Sequence, residues 1–476
     1  MTLSLPLRRR PPRSPGRAPL LFVGAAILAE LVIAASVVSD RLAPISMLVV
    51  AAAGFAVIVR WPLVGMGLLV VLTATFLPSD YWQVHAGGFA IGYHEVTLVG
   101  VVAAAVLFPR ARTWGGVPGG CLAAFLAILG IATLVAIRFN GLAMGDAIAW
   151  GRMFALLLVF YAVVRLFPDR ESLHRLMTTA VACAALSGFV ALVIAAGADL
   201  TPILGQAATY YVNEDLGMGG IPRIRLPGVA IGYPLFWFAA LQIPRTRGFG
   251  RLGWTLAVVL ILVNLALSLN RNMWAGLLVG LAALLVLGGV RVRRPVAVGT
   301  AVLVSAIALV GIAGVQLDSG PLSGVAERGS TLLAPDETTQ ENSLQDRGKE
   351  TAQAWRTFTE NPVLGIGPGA RFGVYFDELQ ANGEYRRTTQ LFLHNQYLYL
   401  LLICGVPGLV AFLSFLLSSI GGARRLLHDT DVSTWAVGLG MIMISAVVMI
   451  SFADASSALA IGLLAGGIAV ARRVDE

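Results

Sequence analysis

The chain predicts an all-α polytopic membrane protein with about 12–14 transmembrane helices, both termini cytoplasmic, and one large extracytoplasmic loop containing an amphipathic helix. Three observations lead there. Of 476 residues, 57% are hydrophobic and only 13% are charged, a balance foreign to a soluble domain of this size. Apolar runs recur along almost the whole chain. Arginine crowds every second connection between those runs, the signature of loops retained on the cytoplasmic side.

Taken in order, residues 1–19 are a basic tail with Arg8, Arg9, Arg10, Arg13 and Arg17 among prolines. Fourteen apolar runs follow, at about 20–38, 43–59, 63–77, 96–109, 121–137, 147–166, 175–197, 229–243, 253–269, 273–290, 296–316, 396–420, 433–450 and 454–471. Several fall short of the ~20 residues a full crossing needs, so the pairs 43–59/63–77 and 433–450/454–471 read equally as shallow re-entrant hairpins. The organisation is a basic tail at 1–19, a bundle of about eleven spans at 20–316, an extracytoplasmic loop at 317–393, and C-terminal spans with a short basic end at 394–476. The inward connections carry 21 arginines and the outward side 11, spread over much more chain. Arg152 alone falls within a span. Topology therefore explains the net charge of +8, and no nucleic-acid partner is implied. Cys121, Cys183 and Cys404 all lie in apolar runs, which leaves no disulfide framework or zinc site.

Polar chemistry gathers in the outward segments. His394 opens the stretch Leu393-His394-Asn395-Gln396-Tyr397-Leu398, where the large loop meets an apolar run. Imidazole suits proton transfer near neutral pH. His394, Leu398, Leu401 and Gly405 share one helical face, where glycine would admit a neighbouring helix. Arg223 and Arg225 precede a span, and Arg271 sits in the tight turn Asn270-Arg271-Asn272. Charge near hydrocarbon usually has a partner or a task, and a guanidinium fork fits phosphate oxygens in two-point fashion. In the loop, 344–360 places Arg347, Thr351, Ala354, Trp355 and Phe358 on one side of a helix lying on the membrane. Asn361-Pro362 stops that helix, and Gly365-Ile366-Gly367-Pro368-Gly369 makes a tight turn. The acids Asp336, Glu337, Asp377 and Glu378 read as solvated loop charges, since their spacing matches no metal site.

These stretches resemble the O-antigen ligase / O-antigen polymerase family of bacterial membrane glycosyltransferases. The likeness runs over about 200–415. Its matching residues are Arg347…Trp355…Asn361-Pro362-Val363-Leu364-Gly365-Ile366-Gly367-Pro368-Gly369, and then His394-Asn395-Gln396-Tyr397-Leu398…Gly405. Asn270-Arg271-Asn272-Met273-Trp274 and Arg225-Leu226-Pro227-Gly228 look like the family's two arginine sites, with Arg223 competing for the role of Arg225. The resemblance implies transfer of a glycan from a polyprenyl diphosphate carrier to an acceptor hydroxyl at the outer face of the cytoplasmic (inner) membrane. No metal, nucleotide or other cofactor is implied. The implied partners are the polyprenyl-diphosphate-linked donor, a glycan or lipid-glycan acceptor, and the bilayer itself. His394 would remove the acceptor proton, and Arg271 and Arg225, with Arg223, would steady the departing diphosphate. Arg347 and Asn395 follow as substrate-side candidates, for loop docking and for orienting the imidazole.

Two rivals remain open at this point. A lipid-linked oligosaccharide flippase would share the span count and a basic cavity, but should carry charge at mid-membrane depth, where only Glu30 clearly lies. A scaffold or sensor would use the outer loop as its binding surface. Asp40 and Asp80, on early outward loops, would matter in a metal-dependent glycosyltransferase.

Overall fold

The computed structural model describes residues 43–75, 83–86, 89–200, 212–218, 221–287, 292–293, 296–297, 337–379, 385–390, 393–447 and 454–476. It divides into two compact units, Met1–Trp61 and Pro62–Glu476. The basic tail, the run at 20–38 and nearly all of that at 296–316 lie outside the described residues, as do Asp40, Asp80 and Asp336. Every other apolar run is helical over most of its described residues.

The first unit shows α1 (Ala43–Arg60). The second opens with α2 (Pro62–Ala74), α3 (Tyr93–Leu107) and α4 (Gly116–Phe139). Next come α5 (Met144–Gly151), a tighter turn over Arg152–Leu158, and α6 (Val159–Leu166), which together make one span. After α7 (Arg170–Ala195) stand α8 (Gly228–Gln242), α9 (Phe249–Leu267) and α10 (Arg271–Leu287). The loop helix is α11 (Glu337–Glu360), and the chain ends with α12 (Gln396–Ala423), α13 (Thr430–Ser445) and α14 (Ala455–Asp475). Among the described residues, six helices are long and apolar enough to cross a membrane unaided. The helices α3 and α10 are apolar but shorter.

With no hydrophobic drive between helices in lipid, close packing holds such a bundle. Phe125 of α4 meets Phe412 of α12 at 4.9 Å between ring centres, and Phe160 of α6 meets Phe415 at 5.4 Å. On α14, Gly462 and Gly466 lie one turn apart, where added Cβ atoms would press on Val159 and Val163 of α6. Arg152, inside its span, has a counter-charge in Glu95 at 3.5 Å, as charge at that depth requires.

The polar bonds sort the helix ends into two groups. Asp431, at the start of α13, accepts from Gln242 at 3.1 Å and Arg245 at 2.5 Å beyond the end of α8, and faces His174 near the start of α7 at 3.3 Å. Arg170 pairs with Asp429 and with Asp475 at the end of α14. Arg473 donates to the carbonyls of Val164 and Phe167. Arg170, Arg245 and Arg473, three of the arginines expected inward, thus converge on one end. At the opposite end, Ile224 and Leu226 pack with Val190, Ala191 and Ile194 of α7 and with Leu267 of α9. There too the Gln396 N–H donates to the Ala446 carbonyl at 2.9 Å, just past α13. Because α13 joins the two ends over 16 residues, about 24 Å, it is no shallow hairpin arm.

Three antiparallel ribbons depart from the purely helical expectation: β1 (Gln83–Ala86) with β2 (Phe89–Gly92), β3 (Val212–Met218) with β4 (Ile221–Ile224), and β5 (Phe372–Leu379) with β6 (Tyr385–Gln390). Each falls on a connection expected outward. Outside lipid such segments can pair backbone groups strand to strand, and Tyr385, Thr388 and Thr389 favour the extended form.

Candidate active site

His394 ends the loop and leads into α12. The Asn395 side-chain oxygen accepts from the Tyr397 and Leu398 N–H groups, both at 3.1 Å, and so caps the helix. The ring of His394 meets Glu350, on α11. The Glu350 carboxylate accepts from the His394 backbone N–H at 2.9 Å, and its two oxygens lie 3.0 and 3.3 Å from Nδ1. Its side chain is 3% exposed, whereas that of His394 is 38% exposed. An ionised carboxylate offers only acceptors, so the contact places a proton on Nδ1, and in the neutral ring Nε2 then carries the lone pair. This is the arrangement of a general base whose ring is fixed from behind.

Glu350 is the residue that the sequence reading passed over. It stands four and eight positions before Ala354 and Phe358, both buried, and therefore lies on the apolar side of α11. That side differs from the expected one: Thr351 is exposed, and Trp355 is 54% exposed. An acid in line with an apolar stripe was the available signal. The helix also starts earlier than expected, at Glu337.

The Gly-rich turn explains how α11 reaches this position. Gly405 was expected to admit a neighbouring helix. Instead α12 breaks there, with Gly405 at φ 66° and ψ −172° and Pro407 just beyond. The turn at 362–366 lies in the break. The Ile366 N–H donates to the Leu402 carbonyl at 2.7 Å, and the Val406 N–H donates to the Pro362 carbonyl at 3.0 Å. A Cβ at Gly405 would strike the Val363 carbonyl, and one at Gly365 (φ 66°) would strike that of Leu402. Both glycines are required by close approach as well as by φ.

The arginines form a second corner at the same end. Arg223, half-buried on β4, donates from Nε to the Ser268 carbonyl at 3.0 Å. Ser268, Leu269 and Asn270 are buried, and Leu269 has φ 48°, a left-handed conformation rare for a bulky residue. The Trp274 indole N–H donates to the Leu265 carbonyl at 3.0 Å and braces the turn. Arg271 begins α10 directly after it. Arg225 is exposed, between buried Ile224 and Leu226. Thus Arg223, Arg225 and the backbone of Arg271 share one corner, at the bundle end that also carries His394. Arg347 stands on α11, three residues before Glu350. The side chains of Arg271, Arg347, Glu337, Asp377 and Glu378 lie outside the described residues.

Fold and site together define a polytopic helical membrane protein with a braced imidazole and an arginine corner at one end of its bundle. Residues 256–413 match the family model described as O-antigen ligase, from within α9 to within α12, spanning Arg271, Glu350 and His394. The match covers about a third of the chain, and over that region the chain is similar to the O-antigen ligase family. No curated protein matches the chain.

Proposed function

We propose that the protein is a membrane glycosyltransferase that moves a glycan from a polyprenyl diphosphate carrier to an acceptor hydroxyl at the outer face of the cytoplasmic membrane. The observation that carries this reading is the buried Glu350 carboxylate holding Nδ1 of His394, inside the family-matched region. Nε2 takes the acceptor proton as the hydroxyl oxygen attacks the anomeric carbon. The bond from that carbon to the diphosphate breaks, and its electron pair leaves with the diphosphate. Arg271 and Arg225, with Arg223, meet the charge that builds there, and Arg347 serves loop docking. Glu350 faces the imidazolium as it forms. The gathering of Arg170, Arg245 and Arg473 at the opposite end of the bundle supports an outward-facing site.

The test uses purified protein in nanodiscs with a polyprenyl-diphosphate-linked oligosaccharide and an acceptor. Release of polyprenyl diphosphate coupled to glycan transfer is the expected result. Full turnover by a folded His394→Ala variant would refute the assignment. Translocation of the lipid-linked donor without its cleavage would point to the flippase.

A further inference from the structure

Beside the turn that enters the break in α12 lies a cleft of about 610 Å³, within the roughly 300–1,000 Å³ typical of small-ligand sites. Asn140 and Asp146 line it from α4's end and α5, Thr357 and Asn361 from the end of α11, and Gly369 and Arg371 from beyond the turn. His394, Glu350 and the arginine corner do not line it. Its walls come from both the bundle and the loop. Gly367 and Gly369 sit so close to Ala136 and to the Asp146 carbonyl that Cβ atoms there would collide.

The lining chemistry narrows the ligand. One carboxylate and one guanidinium balance, and two carboxamides and a hydroxyl supply donors and acceptors together. A diphosphate site would gather cations, and a site for an acyl chain would be apolar. The Thr357 hydroxyl donates to the Gln353 carbonyl at 3.1 Å, and the Asn361 amide donates to the Thr357 carbonyl at 3.3 Å. Each therefore still offers a side-chain oxygen as acceptor. A polyhydroxyl chain, whose every O–H both gives and takes hydrogen bonds, matches this set. Position agrees: Thr357 follows Glu350 by seven residues on α11, two turns along the same side and about 10 Å away.

We propose that this cleft binds the saccharide chain of one substrate, holding sugars some units away from the bond being made at His394 and so selecting which glycan is used. The proposal rests on the transferase reading of His394. Asp146 and Arg371 are exposed, so Asp146→Asn and Arg371→Gln leave the packing intact, and Thr357→Val provides a third variant. The probe is the glycan released by mild acid from the host's own polyprenyl-linked pool, titrated against the full protein in nanodiscs by saturation-transfer NMR. Each cleft variant should lose about tenfold in affinity, the worth of one charged or buried hydrogen bond, while His394→Ala binds as wild type does. In transfer assays the variants should raise one KM by a similar factor with kcat within about twofold. A raised donor KM assigns the cleft to the donor chain, and a raised acceptor KM to the acceptor chain. Unchanged affinity together with both KM values unchanged, in folded variants, overturns the proposal. A fully active His394→Ala would sink only the transferase reading, since the binding titration decides the cleft separately.

Discussion

Glu350→Gln is the sharpest perturbation of the site. Both groups of His394 that meet Glu350 are donors, the backbone N–H at 2.9 Å and Nδ1–H at 3.0 Å, and two carboxylate oxygens accept them together. A carboxamide has the same shape but only one acceptor oxygen. Its NH2 group must then oppose a donor in a pocket where the side chain is 3% exposed. Relief comes if the imidazole moves its proton to Nε2, which destroys the base. The analogous carboxylate-to-amide change behind a catalytic histidine costs serine proteases about 10⁴-fold in kcat. With this ring partly exposed, we expect a loss of roughly 10²–10⁴-fold, or about 3–5 kcal/mol in the barrier, with KM little changed. Unfolding should fall by only about 1–3 kcal/mol, the cost of one buried polar mismatch. The assay is single-turnover transfer from a polyprenyl-linked donor, with thermal unfolding measured on the same preparation. Turnover within about threefold of wild type would refute the orienting role.

Gly405→Ala and Gly365→Ala should each destabilise the protein by more than the ~1–2 kcal/mol of a left-handed alanine, because each Cβ meets backbone; chymotrypsin nicking of the loop in detergent should accelerate. Arg271→Lys should lower kcat/KM for the donor by about tenfold or more, since lysine keeps the charge and loses the fork; an unchanged kcat/KM in a donor titration would count against diphosphate contact. Asp431→Asn should lower the melting midpoint by several degrees through the lost partners of Arg245 and Gln242, yet leave turnover per folded molecule unaltered, as the cluster lies at the far end from His394.

Much of this was legible in the chain. Runs of apolar residues located the helices because lipid admits only backbones that satisfy themselves, and Arg245 and Arg170, from two of the arginine-rich connections, meet at one end around Asp431 and Asp429. His394 and the arginine turn were visible because polar groups beside hydrocarbon stand out. Glu350 was not, since its meaning depends on a contact 44 residues away. Nor could the role of Gly405 be read: a glycine among leucines marks small-residue helix packing and a backbone break alike. Only the partner at Gly365 distinguishes them. The ribbons escaped for a related reason, as their pairing is set by their partner strands more than by intrinsic preference.

The break in α12 has a mechanical consequence. The piece from Gln396 to Cys404 is bonded to the loop at Leu402 and preceded by the His394–Glu350 pair, whereas the piece beyond Pro407 packs with α4 through Phe412. The turn at 362–366 bonds both pieces, to Leu402 before Gly405 and to Val406 after it, so the loop, the His394–Glu350 pair and the two halves of α12 are fastened together. The His394–Glu350 geometry therefore depends on that fastening, and a side chain added at Gly365 or Gly405 would disturb it.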